Sequence, residues 1–210
     1  DVELAWLSGM LHDVGRFEQI KRYNTFSDAD SVDHAKFGAD LLFKDGLIST
    51  FLNGMVKCTG YKPGALEDRY SSDGVFLYDR LNKSDMEMLE LAIRCHNMYR
   101  IPQGLNRREQ AFCNVLRDAD KVDIFKVNID TPLEEIYNPT TEELMKSDIT
   151  DEVLEAFDEE HCILKAIRRT PADTVIGHVS LAYELVYDES VRITVEPVSY
   201  THLTLPTIRL

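Results

Sequence analysis

The sequence predicts an all-α fold, and three observations lead to this prediction. Apolar residues recur three and four residues apart along most of the chain, as they do on one face of a helix. Helix start and stop signals bound these stretches. No stretch alternates apolar and polar residues for long enough to build a sheet. The 210 residues are enough to bury a sizeable core, and we expect one domain over residues 1–197.

The first helices are predicted from apolar runs and from the breaks between them. A nearly continuous apolar run predicts a buried helix over residues 2–13, with Gly15 as its stop signal. The polar stretch 18–33 predicts an exposed loop, and Ser31 or Asp33 near its end can cap the next helix. Further helices are predicted over residues 34–44, 47–58, 107–127 and 171–187.

The later helices carry clearer start signals. Ser84 followed by Glu87 has the form of a capping box and predicts a helix that begins at Ser84. Thr170-Pro171 places a proline at the first position of the last helix. The acidic stretch 130–160 keeps short apolar clusters, which predicts short surface helices with a solvated acidic face.

Two segments are expected to lie outside the helical core. Residues 59–83 are rich in glycine, proline and aromatic residues, which predicts a long excursion at the surface. Residues 198–210 contain no acidic residue, unlike the acidic chain before them, and resemble a translated adapter sequence. We therefore expect 198–210 to be a non-native tail, and we leave His202 out of the candidate site.

Composition excludes some classes of partner. The net charge of −14 disfavours a nucleic-acid partner, because binding phosphate backbones needs a basic surface. A small phosphorylated substrate needs only local positive charge and remains compatible. No segment approaches the run of about 18 apolar residues that a membrane helix needs. The four cysteines form no CxxC pair, which favours reduced thiols in a cytoplasmic protein.

Several polar residues fall on the apolar faces of predicted helices. His34 precedes Phe37 and Leu41 at helical spacing, and His96 follows Ile93 and Leu89 in the same way. Asp120 continues a stripe made of Phe112, Val115, Leu116 and Ala119.

The first predicted helix itself ends in His12-Asp13, which adds two more polar residues to this set. One inward histidine is usually a hydrogen-bonded core residue, but a buried carboxylate must be paired. Five such residues from four helices point to a shared metal centre, since imidazole and carboxylate suit divalent first-row ions. Asp118, Asp123 and His178 are rival candidates, whereas His161 is expected to be exposed.

The order of these residues resembles a known family. MLHDVGRF is followed by DHAKFGADLLF, AIRCHN, LRDADKVDIF and RRTPAD, and this series resembles the HD-domain superfamily of metal-dependent phosphohydrolases over roughly residues 2–190. A lone His-Asp pair is a weak signal. The ordered series of His12-Asp13, His34, His96 and Asp120 is much more specific.

The resemblance implies an HD-domain helical bundle that binds one or two divalent metal ions, with Mn, Fe, Co, Ni, Zn or Mg as candidates. His12, Asp13 and Asp120 are then the core ligands. His34 and His96 match the additional histidines of members that hold two metals, with Asp13 as the bridging carboxylate. The family's first histidine lies upstream of the His-Asp pair, and no histidine precedes His12 here. We expect the missing helix to precede residue 1, so that this fragment lacks one ligand and binds metal weakly or not at all.

The implied reaction is hydrolysis of a phosphate ester or anhydride of a small metabolite or nucleotide. Asp13 would bridge the ions or orient the attacking hydroxide. Arg16, a catalytic candidate, and Lys121 would contact the substrate phosphate. In a single-metal site, His34 or His96 would instead act as general acid. Two alternatives stay open: a non-catalytic HD module that binds a nucleotide or a partner, and a di-iron oxygenase on the same scaffold.

Overall fold

The computed structural model describes residues 1–58, 81–137 and 139–195, and the part of the chain so described contains helices and turns but no strand. The predicted all-α class is therefore confirmed. No helix within these ranges is both long enough and apolar enough to cross a membrane. The α-helices are α1 (Val2–Leu11), α2 (Val14–Tyr23), α3 (His34–Ala39), α4 (Leu47–Cys58), α5 (Lys83–Cys95), α6 (Arg107–Asp130), α7 (Leu133–Tyr137), α8 (Thr141–Met145), α9 (Asp151–Asp158) and α10 (Pro171–Val179), with a further helix over 188–195.

The chain divides into two compact units, Asp1–Leu116 and Arg117–Leu210. Helix α6 begins in the first unit and ends in the second. The predicted surface excursion over 59–83 falls almost entirely on residues outside the described ranges, and so does the predicted tail over 198–210.

The core of the first unit is formed by α1, α3 to α6 and the π-helical turn Asp40–Lys44 that continues α3. Its fully buried side chains include Leu7, Leu42, Leu89 and Ile93. Burying such side chains stabilises the unit by roughly 1.5–3 kcal/mol each, before the cost in conformational entropy.

Helix α1 is buried on one face only, so the prediction of a buried helix holds for that face. Leu4, Leu7, Ser8 and Leu11 face the core, whereas Val2, Trp6 and Met10 are exposed. The two sets are each spaced three or four residues apart and so lie on different sides of the helix. Because nearly all of these residues are apolar, the sequence pattern could not show which side packs inward.

The junction after α1 also differs from the prediction. The helix ends at Leu11, His12 and Asp13 form the junction, and Gly15 lies in the first turn of α2 rather than after a stop. A Cβ at Gly15 would lie 2.2 Å from the carbonyl oxygen of His34 and 2.7 Å from the nitrogen of Gly38. The glycine is therefore needed for the close approach of α2 and α3.

The loop predicted over 18–33 is shorter in the structure. It covers residues 24–33, because 18–23 are helical.

Helix caps follow the predicted chemistry, with one shift in register. Asp33 caps α3 by accepting a hydrogen bond from the backbone of Lys36. Helix α5 begins two residues earlier than a Ser84 cap would place it, because Asn82 and Asp85 form the reciprocal capping box. Two cap patterns overlap in this segment, and the helix uses the Asn82–Asp85 pair rather than the predicted Ser84–Glu87 pair.

The second unit contains the short surface helices predicted for the acidic stretch, which are α7, α8 and α9. The last predicted helix is shorter than expected. Thr170 and Asp173 form its capping box, but α10 ends at Val179 and a 3₁₀ segment, Ser180–Glu184, follows. The hydroxyl of Ser180 donates to the carbonyl of Gly177 and accepts from the backbone of Ile163, which ties this turn to the buried residues of the unit.

Asp173 should contribute strongly to the stability of the second unit. It is fully buried and accepts hydrogen bonds from the backbone nitrogens of Thr150, Arg169 and Thr170. Replacement by alanine leaves these donors without their acceptor, and we expect a loss of about 2–4 kcal/mol in chemical denaturation. The exposed Asp151 is the matched control and should change stability by less than about 0.5 kcal/mol.

The same carboxyl predicts a pH dependence. Burial opposes its ionisation, but the backbone hydrogen bonds outweigh this effect and hold the pKa of Asp173 below its usual range. A lowered folded-state pKa stabilises the protein above the unfolded pKa, and this contribution is lost as pH falls through the folded value. The difference in stability between wild type and Asp173→Ala should therefore shrink in strong acid. A difference that stays constant from neutral pH into strong acid would contradict this assignment.

Candidate metal centre

His12 and Asp13 lie at the junction of α1 and α2, where the chain turns from one helix into the next. His12 is the C-cap of α1, and Asp13 is the N-cap residue of α2. The side chain of Asp13 makes no capping hydrogen bond, so it is directed to other partners. This junction places an imidazole and a carboxylate next to each other at the edge of the core.

His34 and His96 are buried, as their helical spacing predicts. Each has only 4 % of its surface exposed. His34 is the first residue of α3, and His96 is the C-cap of α5. Packing of α2 and α5 against α3 brings both rings to the α1–α2 junction.

Four of the five predicted ligands meet at this point. The Nε2 atoms of His34 and His96 are 3.0 Å apart. Asp13 Oδ1 lies 3.3 Å from Nε2 of His34 and 3.7 Å from Nε2 of His96. The ring of His12 packs edge-on against that of His96, with centroids 4.9 Å apart, and its Nε2 lies 3.8 Å from Asp13 Oδ2.

The other ring nitrogen of each histidine is bound to a pure acceptor. Nδ1 of His12 lies 2.7 Å from the carbonyl of Gly9, and Nδ1 of His96 lies 2.7 Å from the carbonyl of Ile93. Nδ1 of His34 lies 2.7 Å from Asp28 Oδ2. Carbonyl and carboxylate oxygens cannot donate, so each Nδ1 carries the proton. A neutral ring in this tautomer presents an unprotonated Nε2 to the site.

This arrangement requires a cation. Two unprotonated Nε2 atoms at 3.0 Å, with a carboxylate oxygen beside them, repel one another. Either a proton that converts one ring to imidazolium or a metal ion makes the contact attractive. An ion bound at about 2.1 Å holds its ligand atoms roughly 3.0–3.5 Å apart. The distances among the ligand atoms of Asp13, His34 and His96, from 3.0 to 3.7 Å, are close to these values. His12, Asp13 and His96 also form a group whose ligand atoms could hold a metal ion, so the residues present fit a divalent metal.

Asp13 is held in its ionised form. Burial opposes ionisation, but when the imidazoles are protonated, a hydrogen bond from His96 and the positive charges of His12, His34 and Arg16 outweigh it and lower the pKa of the Asp13 carboxyl to about 2. Its Oδ1 is buried and has no hydrogen-bond partner among the described residues. A buried carboxylate oxygen without a donor is costly, and a metal ion would relieve this cost.

Sequence reasoning missed the polar residues behind His34. Asp28 lies in the segment predicted to be an exposed loop, yet it binds His34, Gln19 and Asn97. Gln19 is fully buried. Asp28, Asp33 and His34 form a second group whose ligand atoms could hold a cation. The available signal was three aspartates within six residues of a predicted ligand, but that pattern is also typical of a turn.

Arg16 lies beside the centre and is held by several acceptors. Its Nη1 donates to Asp28 Oδ1 at 3.0 Å, to the carbonyl of Phe26 at 2.6 Å and to Gln19 Oε1 at 3.0 Å. Its Nε lies 3.7 Å from Asp13 Oδ1. The guanidinium therefore adds positive charge next to Asp13, and the contact with a substrate phosphate stays a prediction.

Asp120 and Lys121 belong to the second unit, and their predicted roles stay predictions. The prediction that Asp120 lies on a buried apolar stripe is wrong in part. Val115 and Ala119 of that stripe are exposed, and Asp120 is only half-buried. The buried side chains of α6 instead include those of Cys113, Leu116, Arg117 and Lys121.

Lys121 is buried with its ammonium 3.7 Å from Glu184, to which Arg117 also donates. Burial and the neighbouring charge of Arg117 lower the pKa of Lys121.

The rival residues have structural partners within the second unit. Asp118 accepts hydrogen bonds from the backbone nitrogens of Val186 and Tyr187. His178 Nδ1 lies 2.8 Å from the hydroxyl of Tyr137, and burial lowers the pKa of His178 to about 4. These contacts supply partners for the buried Asp118 and the half-buried His178, whereas Asp123 is exposed.

The geometry was compared with three sets of known proteins. Protein-family models, curated proteins and solved structures gave no match to this chain. The candidate metal centre therefore rests on the contacts among His12, Asp13, His34 and His96.

Proposed function

We propose that this chain is a metal-dependent phosphohydrolase that cleaves a phosphate ester or anhydride of a small metabolite or nucleotide. The observation that carries the proposal is the 3.0 Å approach of two histidine Nε2 atoms whose Nδ1 atoms are both bound to acceptors. A buried carboxylate oxygen, Asp13 Oδ1, lies beside them. The order of these residues in the sequence, which resembles HD-domain phosphohydrolases, supports the same function.

The donor set determines which ions suit the site. His12, His34 and His96 supply imidazole nitrogen, and Asp13 supplies carboxylate oxygen. This mixture favours first-row divalent ions such as Mn, Fe, Co, Ni or Zn over Ca, which prefers oxygen alone. When bound, such an ion supplies an activated water and charge stabilisation for a phosphoryl group. Asp120 is the fifth ligand that the sequence resemblance implies.

The residues of the chain have distinct tasks in this proposal. Asp13 stays ionised at neutral pH because its pKa is lowered to about 2, so it is ready to bind metal or to orient a water. The acceptors at the Nδ1 atoms keep the imidazoles in the tautomer that presents Nε2 to the metal. Arg16 contributes positive charge next to Asp13 and is the candidate for contact with the substrate phosphate.

The charge of the whole chain favours a small substrate. With a net charge of −14, long-range electrostatics repel a polyanion such as nucleic acid. A single phosphorylated molecule needs positive charge only at the reacting centre, which a metal ion and Arg16 can supply. The negative charge of the chain therefore favours a small substrate but does not specify the organic part of that substrate.

The proposal is tested by metal titration and a hydrolysis assay on the full chain. We expect Mn²⁺, Co²⁺ or Ni²⁺ to bind and to support hydrolysis of p-nitrophenyl phosphate or of a member of a nucleotide and sugar-phosphate panel. A chelator should remove the activity, and the metal should restore it.

Three outcomes would contradict the proposal. The first is undiminished hydrolysis by Asp13→Ala, and the second is hydrolysis that a chelator leaves unchanged. The third is oxygen consumption by the iron-loaded protein without phosphate release, which would favour the di-iron oxygenase alternative.

His161 offers a control, because it lies in the second unit and contacts Ala156 and Glu159 there. His161→Gln should retain full metal binding.

A further inference from the structure

We propose that Asp28 is the positioning residue of the metal centre, because it fixes the ring of His34 and so directs Nε2 of His34 toward Asp13 and His96. This inference deepens the proposed function, since it assigns the group that holds one of the proposed ligands. It also makes a claim about His34 that can be tested without metal or substrate.

The ring of His34 is held at one nitrogen and directed to the centre with the other. Its Nδ1 lies 2.7 Å from Asp28 Oδ2 and 2.9 Å from Oδ1, so the ring donates to the carboxylate. The opposite ring nitrogen, Nε2, then lies 3.3 Å from Asp13 Oδ1 and 3.0 Å from His96 Nε2. A histidine held at one nitrogen by a carboxylate is the common arrangement for presenting the other nitrogen to a metal.

The hydrogen bonds that Asp28 accepts indicate a positioning role rather than direct metal binding. Asp28 accepts hydrogen bonds from four side chains. An ionised carboxylate has about four lone-pair sites, so these donors occupy its capacity. Asp28 is therefore an acceptor for its neighbours and is not itself a ligand. The four donors are His34 Nδ1, Arg16 Nη1, Gln19 Nε2 and Asn97 Nδ2.

The network around Asp28 is buried and charged. Gln19 is fully buried, and it also donates to the hydroxyl of Ser31 and the carbonyl of Val32, which fixes the loop that carries Asp28. Asp28 is also paired with a permanent positive charge, because the guanidinium of Arg16 lies 3.0 Å from its Oδ1. An ionised Asp28 binds the Nδ1 proton strongly, because charge-assisted hydrogen bonds are about twice as strong as neutral ones.

An asparagine at this position would not replace the carboxylate. Asp28→Asn has one acceptor oxygen and an NH₂ group that meets donors from Arg16, Gln19 or Asn97. The charge that favours Nδ1 protonation is also lost. We therefore expect His34 to sample both tautomers in this variant and the ring to lose its fixed orientation.

The test uses nitrogen-15 NMR of the imidazoles in metal-free protein at about pH 8, above the ordinary range of histidine titration. The signals of His34 are identified by their loss in His34→Gln. In the wild type we expect the proton of His34 on Nδ1, and in Asp28→Asn a mixture of the two tautomers. The wild-type spectrum needs no substitution at Asp28, so an unprotonated Nδ1 of His34 there overturns the proposal even if the variant does not fold.

Metal titration supplies the second measurement, with Asp33→Asn as the matched control. Asp33 lies in the same segment and also accepts from Asn97, and asparagine preserves its role as the cap of α3. Mn²⁺ or Zn²⁺ affinity should fall about 10- to 100-fold in Asp28→Asn and less than about threefold in Asp33→Asn. An equal loss in both variants would favour the Asp28–Asp33–His34 group as the metal site and overturn the positioning role. A wild type that binds no metal but shows the Nδ1 tautomer would remove the support for a metal-dependent function and keep only the role of Asp28 in fixing the ring of His34.

Discussion

Asp13→Asn is expected to reduce divalent-metal affinity about 100-fold or more and to abolish any metal-dependent hydrolysis. The carboxylate of Asp13 is the anionic group that lies 3.3 Å from His34 Nε2 and 3.7 Å from His96 Nε2. An amide of the same shape lacks the charge that balances a divalent ion. Loss of partners that only support a metal ligand already costs 10- to 100-fold in affinity, so loss of a ligand should cost at least as much. Isothermal titration with Mn²⁺ or Zn²⁺ measures the effect.

The fold should survive this change. Asp13 makes no capping hydrogen bond to α2, and asparagine is as good an N-cap residue as aspartate. Helical circular dichroism should therefore match that of the wild type. Asp30→Asn is the control, because Asp30 is exposed in the loop after α2. The metal affinity of this variant should equal that of the wild type. Metal binding by Asp13→Asn within threefold of the wild type would refute the assignment of Asp13 as a ligand.

Gly15→Ala is expected to destabilise the protein by about 3 kcal/mol or more and to weaken metal binding at the same time. The added Cβ would lie 2.2 Å from the His34 carbonyl oxygen, 2.7 Å from Gly38 N and 3.0 Å from Gly38 Cα. These are backbone atoms, so no side-chain rotation can relieve the contact. Overpacking of a core costs about 1–3 kcal/mol, and a clash with backbone lies at the upper end or beyond. Separating α2 from α3 also moves His34 away from Asp13.

Gly9→Ala provides a matched control for the same substitution. Gly9 lies inside α1, and a Cβ there meets nothing within 4 Å. Alanine in a helix interior is favoured over glycine by about 0.5–1 kcal/mol, so this variant should be slightly more stable than the wild type. Chemical denaturation of both variants measures the difference. Equal stability of Gly15→Ala and Gly9→Ala would show that α2 and α3 do not need a glycine contact.

The sequence predicted the ligands that lie on periodic helices. His34 and His96 occupy apolar faces at three- and four-residue spacing, and this regularity fixes the side of the helix on which they lie. His12-Asp13 was identified because an imidazole and a carboxylate follow an apolar run. The burial of Asp120 could not be predicted in the same way, because the buried face of α6 differs from the apolar stripe in its sequence.

The sequence did not predict the residues that support those ligands. Asp28 and Gln19 lie in or next to a polar stretch whose composition is typical of an exposed loop, yet Gln19 is fully buried. Their burial depends on contacts with His34 and Asn97, the latter 69 residues away from Asp28 in the chain. A local pattern contains no information about such distant partners.

The sequence by itself determined the helical class, the position of most helices and the residue types of the candidate centre. These features depend on local periodicity, capping chemistry and the donor atoms of single side chains. Only the tertiary structure decided that α2 begins next to Asp13, that Gly15 contacts α3, and that Asp28 holds His34. The physical reason is that the close approach of two helix backbones, and the hydrogen bonds that follow from it, are set by packing between segments that are separate in the sequence.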